Sequence, residues 1–206
     1  MFTTLGDWTQ GAYLTGDQRK DRRVEKTERL LHDALASLIH EKAYDEIVVK
    51  EILARANVGR STFYAHFRDK DELLVSGIRD MVGARSVASS PSTASVDHVV
   101  RFSLPILRHI ATHRAPNAKP GAHGRQKVVH DHLRQVLAEL VARDLGTGSG
   151  AMKIGAVSPE LLARHVAATF VLVLEWWTDR GCALSAVEAN DAFRALVMPV
   201  VSRALQ

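Results

Sequence analysis

The chain has 206 residues, 46% apolar and 24% charged, with one cysteine and a formal net charge of +4. That length suits one or two domains of roughly 100–150 residues, the composition excludes wholesale disorder and fibrous repeats, and a lone thiol, Cys182, excludes an internal disulfide or a thiolate-rich zinc site. No apolar run reaches the roughly 20 residues that span a bilayer, and no secretion signal is legible at the start, so the expectation is a cytoplasmic protein without a membrane partner. Positive charge does not mark out a nucleic-acid-binding half. Residues 1–80 carry 13 Lys/Arg against 14 Asp/Glu, and residues 81–206 carry 14 against 9.

Residues 1–18 hold Gly6, Gly11 and Gly16 and no sustained period, the pattern of a flexible tail. From Asp21 the apolar positions Val24, Leu30, Leu31, Ala34, Leu35, Leu38 and Ile39 recur at spacings of three and four, which predicts a long amphipathic helix. A shorter helix fits Val48 to Ala56, followed by a break at Asn57-Val58-Gly59 and a very short segment from Arg60 to His66. Asp69 and Glu72 stand at capping-box spacing and predict the start of a fourth helix. A Ser/Ala/Pro connector covers residues 86–95. Beyond it, helices are predicted near 96–113, 123–144, 158–180 and 185–205, separated by Gly- and Pro-rich breaks at 115–124 and 146–155. Ser158-Pro159-Glu160 and Ser185 with Glu188 are further helix starts. No segment alternates with period two, so the expected fold class is all-α.

The stretch from Ile47 to Lys70 carries the chemistry. Two short helices joined at Asn57-Val58-Gly59 form a helix-turn-helix, whose second helix enters the major groove of duplex DNA. Asn57 tolerates the positive φ that the corner demands. Arg60, Ser61 and Thr62 form the first turn of that second helix, where base edges are reached; arginine's fork matches O6 and N7 of guanine. Tyr64, His66 and Lys70 are donors suited to phosphates, and Phe63 and Phe67 are the apolar anchors of a helix too short to stand alone.

Those residues resemble the DNA-binding domain of the TetR family of bacterial transcriptional regulators. The similarity runs from about Arg22 to Asp80 and rests on Tyr44, Val49-x-Glu51-Ile52, Ala56-x-Val58 and Thr62-Phe63-Tyr64-x-His66-Phe67-x-x-Lys70-x-x-Leu73. It departs at Val48, where the family commonly has a hydroxyl residue, at Asn57 for the usual glycine, and at Gly59 for the usual serine. The resemblance implies a helix-turn-helix head over residues 19–80, with the motif itself at about 48–67, and an all-helical body over 81–206 that binds an effector and dimerises.

The implied function is a ligand-responsive repressor that reads a palindromic operator in double-stranded DNA as a homodimer. An adaptor or activator with the same head and no small-molecule switch is the alternative. A single short helix reads too few base pairs, so two copies roughly 34–36 Å apart are required. Candidate effector-binding residues are Phe102, His109, Phe170 and Trp177, with Pro105 bending the helix beside them. Candidate dimer-interface residues are Val173, Phe193, Leu196, Val197 and Val200, on the last two helices, with Pro199 kinking the final one. No phosphate loop, nucleophile elbow or metal signature is present, so neither catalysis nor a cofactor is expected. His98, His109, His113, His123, His130 and His132 lack the spacing and companions of metal ligands, and Cys182 lacks a base partner.

Overall fold

The computed structural model describes residues 16–83, 96–113, 126–146, 157–179 and 184–205, and these are helical throughout with no strand among them. The candidate tail up to residue 15, the connector at 86–95, the breaks at 115–124 and 147–155, His123 and Cys182 lie outside the described residues. In chain order the helices are α1 (Gly16–Glu41), the 3-10 turn η1 (Tyr44–Glu46), α2 (Val49–Ala56), α3 (Arg60–His66), α4 (Lys70–Gly83), α5 (Val96–Val99), α6 (Ser103–His113), α7 (Lys127–Gly146), α8 (Pro159–Asp179) and α9 (Ala186–Ala204). Helix α1 therefore begins at Gly16, inside the stretch that reads as a tail.

The head is built on the apolar stripe of α1. Leu31, Ala34, Leu35 and Leu38 are buried against Ile52 and Ala56 of α2, Phe63 of α3, and Leu73, Leu74 and Ile78 of α4. In the body α7 packs along α8, and α9 packs on both α6 and α8. Phe102, Phe170 and Phe193 bring α6, α8 and α9 together: each ring meets the other two, with centroids 5.2, 5.3 and 6.1 Å apart. All three are buried, and such tilted and edge-on pairs add roughly 0.5–1.5 kcal/mol each to the area they bury.

Proline accounts for a break that periodicity misses. Residues 96–113 read as one helix, but the chain leaves the helix at Val100–Phe102 and restarts at Ser103. The ring of Pro105 would strike the carbonyl four residues back, at Arg101, so a helix running through that point loses a hydrogen bond and has to kink or break. Pro105 consequently sits in the first turn of α6, where its missing N–H costs nothing, rather than bending a helix from inside. Ser103 Oγ accompanies the break, donating to Val100 O at 2.8 Å. Pro199, by contrast, does lie inside α9, and the helix continues across it.

Helix starts follow the local signals. Ser158 Oγ accepts from Leu161 N at 3.2 Å, and Ser185 with Glu188 forms a reciprocal capping box. Asp69 caps α4 by accepting from Glu72 N at 2.8 Å, but the Glu72 carboxylate accepts from Arg68 N, one residue earlier than a capping box requires. Pro159–Thr178 has the length and apolar composition of a membrane span, at mean hydropathy 1.2, which corrects the expectation that no segment reaches that length. Its apolar side chains Leu162, Val166, Phe170 and Val171 are buried within the body, as in the core helix of a soluble fold.

Head and body meet at a polar joint. Gln126, buried at the start of α7, donates Nε2 to Ile39 O and Lys42 O at the end of α1, at 2.8 and 3.0 Å. Lys42 Nζ then reaches both carboxylate oxygens of Glu51 in α2, at 2.6 and 2.7 Å. Helix α4 also rests on α7, with Arg79 pairing to Glu139 at 3.2 Å.

Candidate nucleic-acid interface

Two corners shape the motif. Helix α2 ends at Asn57, with φ 52° and ψ 45°, a left-handed conformation that asparagine accepts more cheaply than most side chains. Val58 N then donates back to Leu53 O at 3.1 Å, the six-residue loop of a Schellman motif. Gly59 is the N-cap of α3 at φ −69° and ψ 150°, ordinary extended backbone. Its glycine is therefore not demanded by conformation. A Cβ there would meet only Thr62 Oγ1, at 3.8 Å, so a serine would fit and would supply the missing cap.

The start of α2 shows how the valine at its N-cap is tolerated. Val48 has no side-chain acceptor, yet its own N–H donates to Glu51 Oε2 at 3.1 Å, half of a capping box. The Lys42 ammonium, and after it the Val48 N–H, holds the Glu51 carboxyl below the usual carboxylate value. At the far end of the helix, Arg55 lays a fork across Glu41, with Nη2 to Oε2 at 2.9 Å, and also reaches Ser37 Oγ.

Helix α3 is divided sharply between an inner and an outer side. Phe63 is fully buried and Phe67 nearly so, their rings 6.0 Å apart. Arg60, Ser61, Thr62, Tyr64 and Ala65 are exposed. Arg60 lies over the Tyr64 ring with 5.6 Å from guanidinium to centroid, and the Tyr64 ring meets Phe63 edge-on at 5.2 Å. Stacking on an exposed ring restricts the long arginine side chain before any partner arrives.

The other two sequence candidates point elsewhere. His66 Nδ1 lies 3.3 Å from Glu28 Oε1 of α1 and is only partly exposed. Lys70 Nζ donates to Tyr44 O and Ile47 O, both at 2.9 Å, and sits 4.4 Å from the centroid of the Tyr44 ring. The lysine expected to reach a phosphate is thus engaged with the carbonyls around η1. Tyr44 is itself buried, and its hydroxyl donates to Asp71 Oδ1; burial, then Asp71, hold the phenol protonated far above its usual range. Neither Tyr44–Asp71 nor Lys42–Glu51 was singled out from the sequence, because each joins residues on different elements. The only trace is Glu51 standing three residues after Val48.

His32 is the head's other histidine to note. Its ring packs 5.9 Å from that of Phe67 and against Gly77, where a Cβ would come within 3.1 Å of Cδ2. Burial pushes its pKa down, opposed by Asp80 at 3.5 Å.

In the body, the candidate effector residues take separate places. Phe102 and Phe170 belong to the packed aromatic trio, Trp177 is buried with Nε1 donating to Leu184 O at 3.0 Å, and His109 is half-buried on α6. A shallow cavity of about 590 Å³ lies elsewhere, between α7 and α8, walled by Ala138, Ala142, Ala163 and Ala168 and rimmed by Arg134 and Arg164.

The candidate dimer residues divide by helix phase. Val173, Phe193 and Val197 are buried inside the protomer, whereas Leu196 and Val200 are exposed, 55% and 41%. Leu161, Leu172 and Trp176 join them as an outward apolar face of α8. One apolar helix carries both stripes, and sequence period does not say which faces the chain's own core.

Known proteins resemble this chain in sequence and in fold. Residues 31–76 match the profile described as bacterial regulatory proteins, tetR family. The chain is similar to YxbF, an uncharacterized HTH-type transcriptional regulator of Bacillus subtilis (strain 168), with 33% identity over 98 residues. That match covers 43% of this chain and 26% of the relative, so it spans about a quarter of that protein's length. It is also similar to YhgD of the same organism, another such regulator, with 26% identity over 160 residues, covering 72% of this chain and 83% of the relative. Among solved structures, a TetR transcriptional regulator from Streptococcus agalactiae 2603V superposes with a TM-score of 0.54 at 22% identity. It covers 88% of this chain and 99% of its own, a likeness of fold.

Proposed function

We propose that this chain, whose residues 31–76 match the tetR family of bacterial regulatory proteins, is a homodimeric repressor of that family whose hold on a palindromic operator is weakened by a small molecule. The observation that carries the DNA-binding part is the two-sidedness of α3. Its apolar side is consumed by Phe63 and Phe67, while Arg60, Ser61, Thr62 and Tyr64 face outward from a rigid base. Arg60 reads a base edge, Ser61 and Thr62 contact neighbouring edges or phosphates, and Tyr64 orients Arg60 and donates to the backbone. His66 and Lys70 position the helix from behind. The protein works in the cytoplasm, as a binding protein and not a catalyst.

Selection of genomic fragments by the purified full chain tests this reading and returns the operator. With that site in hand, Arg60→Ala is expected to weaken operator binding about 10- to 100-fold, matching the roughly 1–3 kcal/mol of a good bidentate base contact. It should also relax choice at one position per half-site. Equal losses on operator and random duplex would remove Arg60 from base reading.

Two protomers join through the outward faces of α8 and α9, where Leu161, Leu172, Trp176, Leu196 and Val200 form an apolar surface of the kind that marks an interface. Leu172→Glu is expected to turn the dimer into a monomer in sedimentation at micromolar concentration. It should leave the helical signal unchanged, because the side chain lies outside the protomer core.

The effector acts by population shift: it favours a body conformation whose paired heads no longer match successive grooves, and DNA and effector oppose each other reciprocally. Phe102, Phe170 and Phe193 fill one another's space, so a ligand seated among Phe102, His109, Phe170 and Trp177 has to open that cluster. Such a ligand bears the cost of populating a minor state. The same closed packing favours a second reading, a regulator with no small-molecule switch. A screen in which no small molecule alters thermal stability or operator release decides for it.

A further inference from the structure

We propose that the exposed basic stripe of α1, formed by Arg22, Arg23, Lys26 and Arg29, is a second DNA contact, gripping the phosphate backbone that flanks the half-site under α3. The inference rests on the DNA-binding reading above and extends it to a surface outside the helix-turn-helix.

Helix α1 is longer than the head needs. It has 26 residues, about 39 Å at 1.5 Å per residue, yet among the described residues its first buried side chain is Leu31. About four turns, residues 16–30, therefore precede the core, and from Arg22 to Leu30 only Val24, Thr27 and Glu28 are partly covered. A helical stretch that buries so little is marginal by itself and gains most from an external partner.

Charge says which partner. Arg22, Lys26 and Arg29 stand at i, i+4 and i+7 on one face, with Arg23 beside them, and all four are exposed. Glu25, three residues after Arg22 and four before Arg29, borders the stripe on one side, and Glu28, further round, is occupied by His66. None of the four cations forms an ion pair among the described residues. The head's other basic groups are mostly engaged: Lys42 with Glu51, Arg55 with Glu41, Arg68 with Glu72, Arg79 with Glu139, and Lys70 with carbonyls. Uncommitted positive charge is thus concentrated on the overhang, and a polyanion is its complement.

Position says where on the duplex. The contact between Glu28 and His66 sets α1 beside the C-terminal end of α3. The overhang begins where the recognition helix stops. With α3 in the major groove, the phosphates next along the strand are those beyond its C-terminal end, within reach of long side chains on α1.

The test compares the full-length chain with R22Q/R23Q/K26Q/R29Q, glutamine keeping a helix propensity close to that of arginine and lysine. Binding is followed by fluorescence anisotropy on the selected operator, once with flanking duplex and once trimmed to the half-sites. The salt range is about 50 to 200 mM, where each released phosphate contact contributes about 0.9 to the log–log slope. On the flanked duplex the variant should bind about 10- to 100-fold more weakly, with a slope shallower by about 2 to 4 for the dimer. Its preference for operator over random duplex should be unchanged, and trimming the flanks should erase the difference from wild type. The charge-keeping variant R22K/R23K/K26R/R29K should bind like wild type. A glutamine variant that holds the flanked operator with wild-type affinity and slope overturns the second contact and leaves the helix-turn-helix reading standing. Absence of salt-sensitive binding to any duplex by the wild-type chain overturns both. A loss by the variant only on vesicles rich in anionic phospholipid, and not on DNA, overturns it in favour of a membrane surface.

Discussion

Phe63→Ala should abolish operator binding by unfolding the head while the body stays helical. Phe63 is fully buried, with rings of Tyr64 and Phe67 against it. Truncating a buried phenylalanine costs about 3–5 kcal/mol, from lost transfer energy and the cavity left behind. That is a large share of the roughly 5–15 kcal/mol that holds a whole domain, and the loss falls on a helix of seven residues with little stability of its own. Hydrogen exchange read residue by residue is the decisive measurement. Amides of α2, α3 and α4 should lose protection together, while those of α7, α8 and α9 keep theirs. Tyr64→Ala, at a position 48% exposed, is the contrast: head protection should persist while DNA binding weakens. Loss of protection in the body as well would mean that head and body do not unfold separately.

Lys70→Ala carries the second large effect, and it discriminates between two roles for one side chain. As a phosphate contact, Lys70 would contribute to the salt slope and little to stability. The geometry gives the opposite weighting. Its ammonium bridges Tyr44 O and Ile47 O and lies over the Tyr44 ring, tying α4 to η1. A hydrogen bond from a charged donor is worth about 1.5–3 kcal/mol, and the two carbonyls lose that donor on truncation. The expected loss is about 2–4 kcal/mol of head stability, seen as a lower thermal midpoint. The salt slope of the molecules that still bind should stay at the wild-type value. A shallower slope at unchanged stability would return Lys70 to the phosphates.

What the sequence makes legible divides by distance along the chain. The left-handed corner at Asn57, the cap at Ser185 and the buried faces of Phe63 and Phe67 depend on neighbours within a few residues, and patterning reaches them. The roles of His66 and Lys70 depend on Glu28, Tyr44 and Ile47, which are 38, 26 and 23 residues away. No local period encodes which way those side chains turn. The phase of α9 is hidden for a related reason: Phe193 and Val197 face inward, Leu196 and Val200 outward, and all four are simply apolar in the sequence. The break before α6 is harder to read, since a proline inside an apolar repeat either stays within a continuous helix, as Pro199 does in α9, or ends it, as at Pro105.

The joint at Gln126 has a mechanical consequence. One amide nitrogen spans two carbonyls of the last turn of α1, and the same lysine that offers one of those carbonyls extends its ammonium to α2. Such a linkage has fixed reach: N–H···O bonds weaken steeply once stretched or bent, unlike apolar surfaces, which can slide. Swivelling the first turn of α7 against α1 therefore either drags the base of α2 along or severs both bonds, at about 1 kcal/mol apiece. Small rotations travel as rigid displacement, and large ones uncouple the two halves altogether.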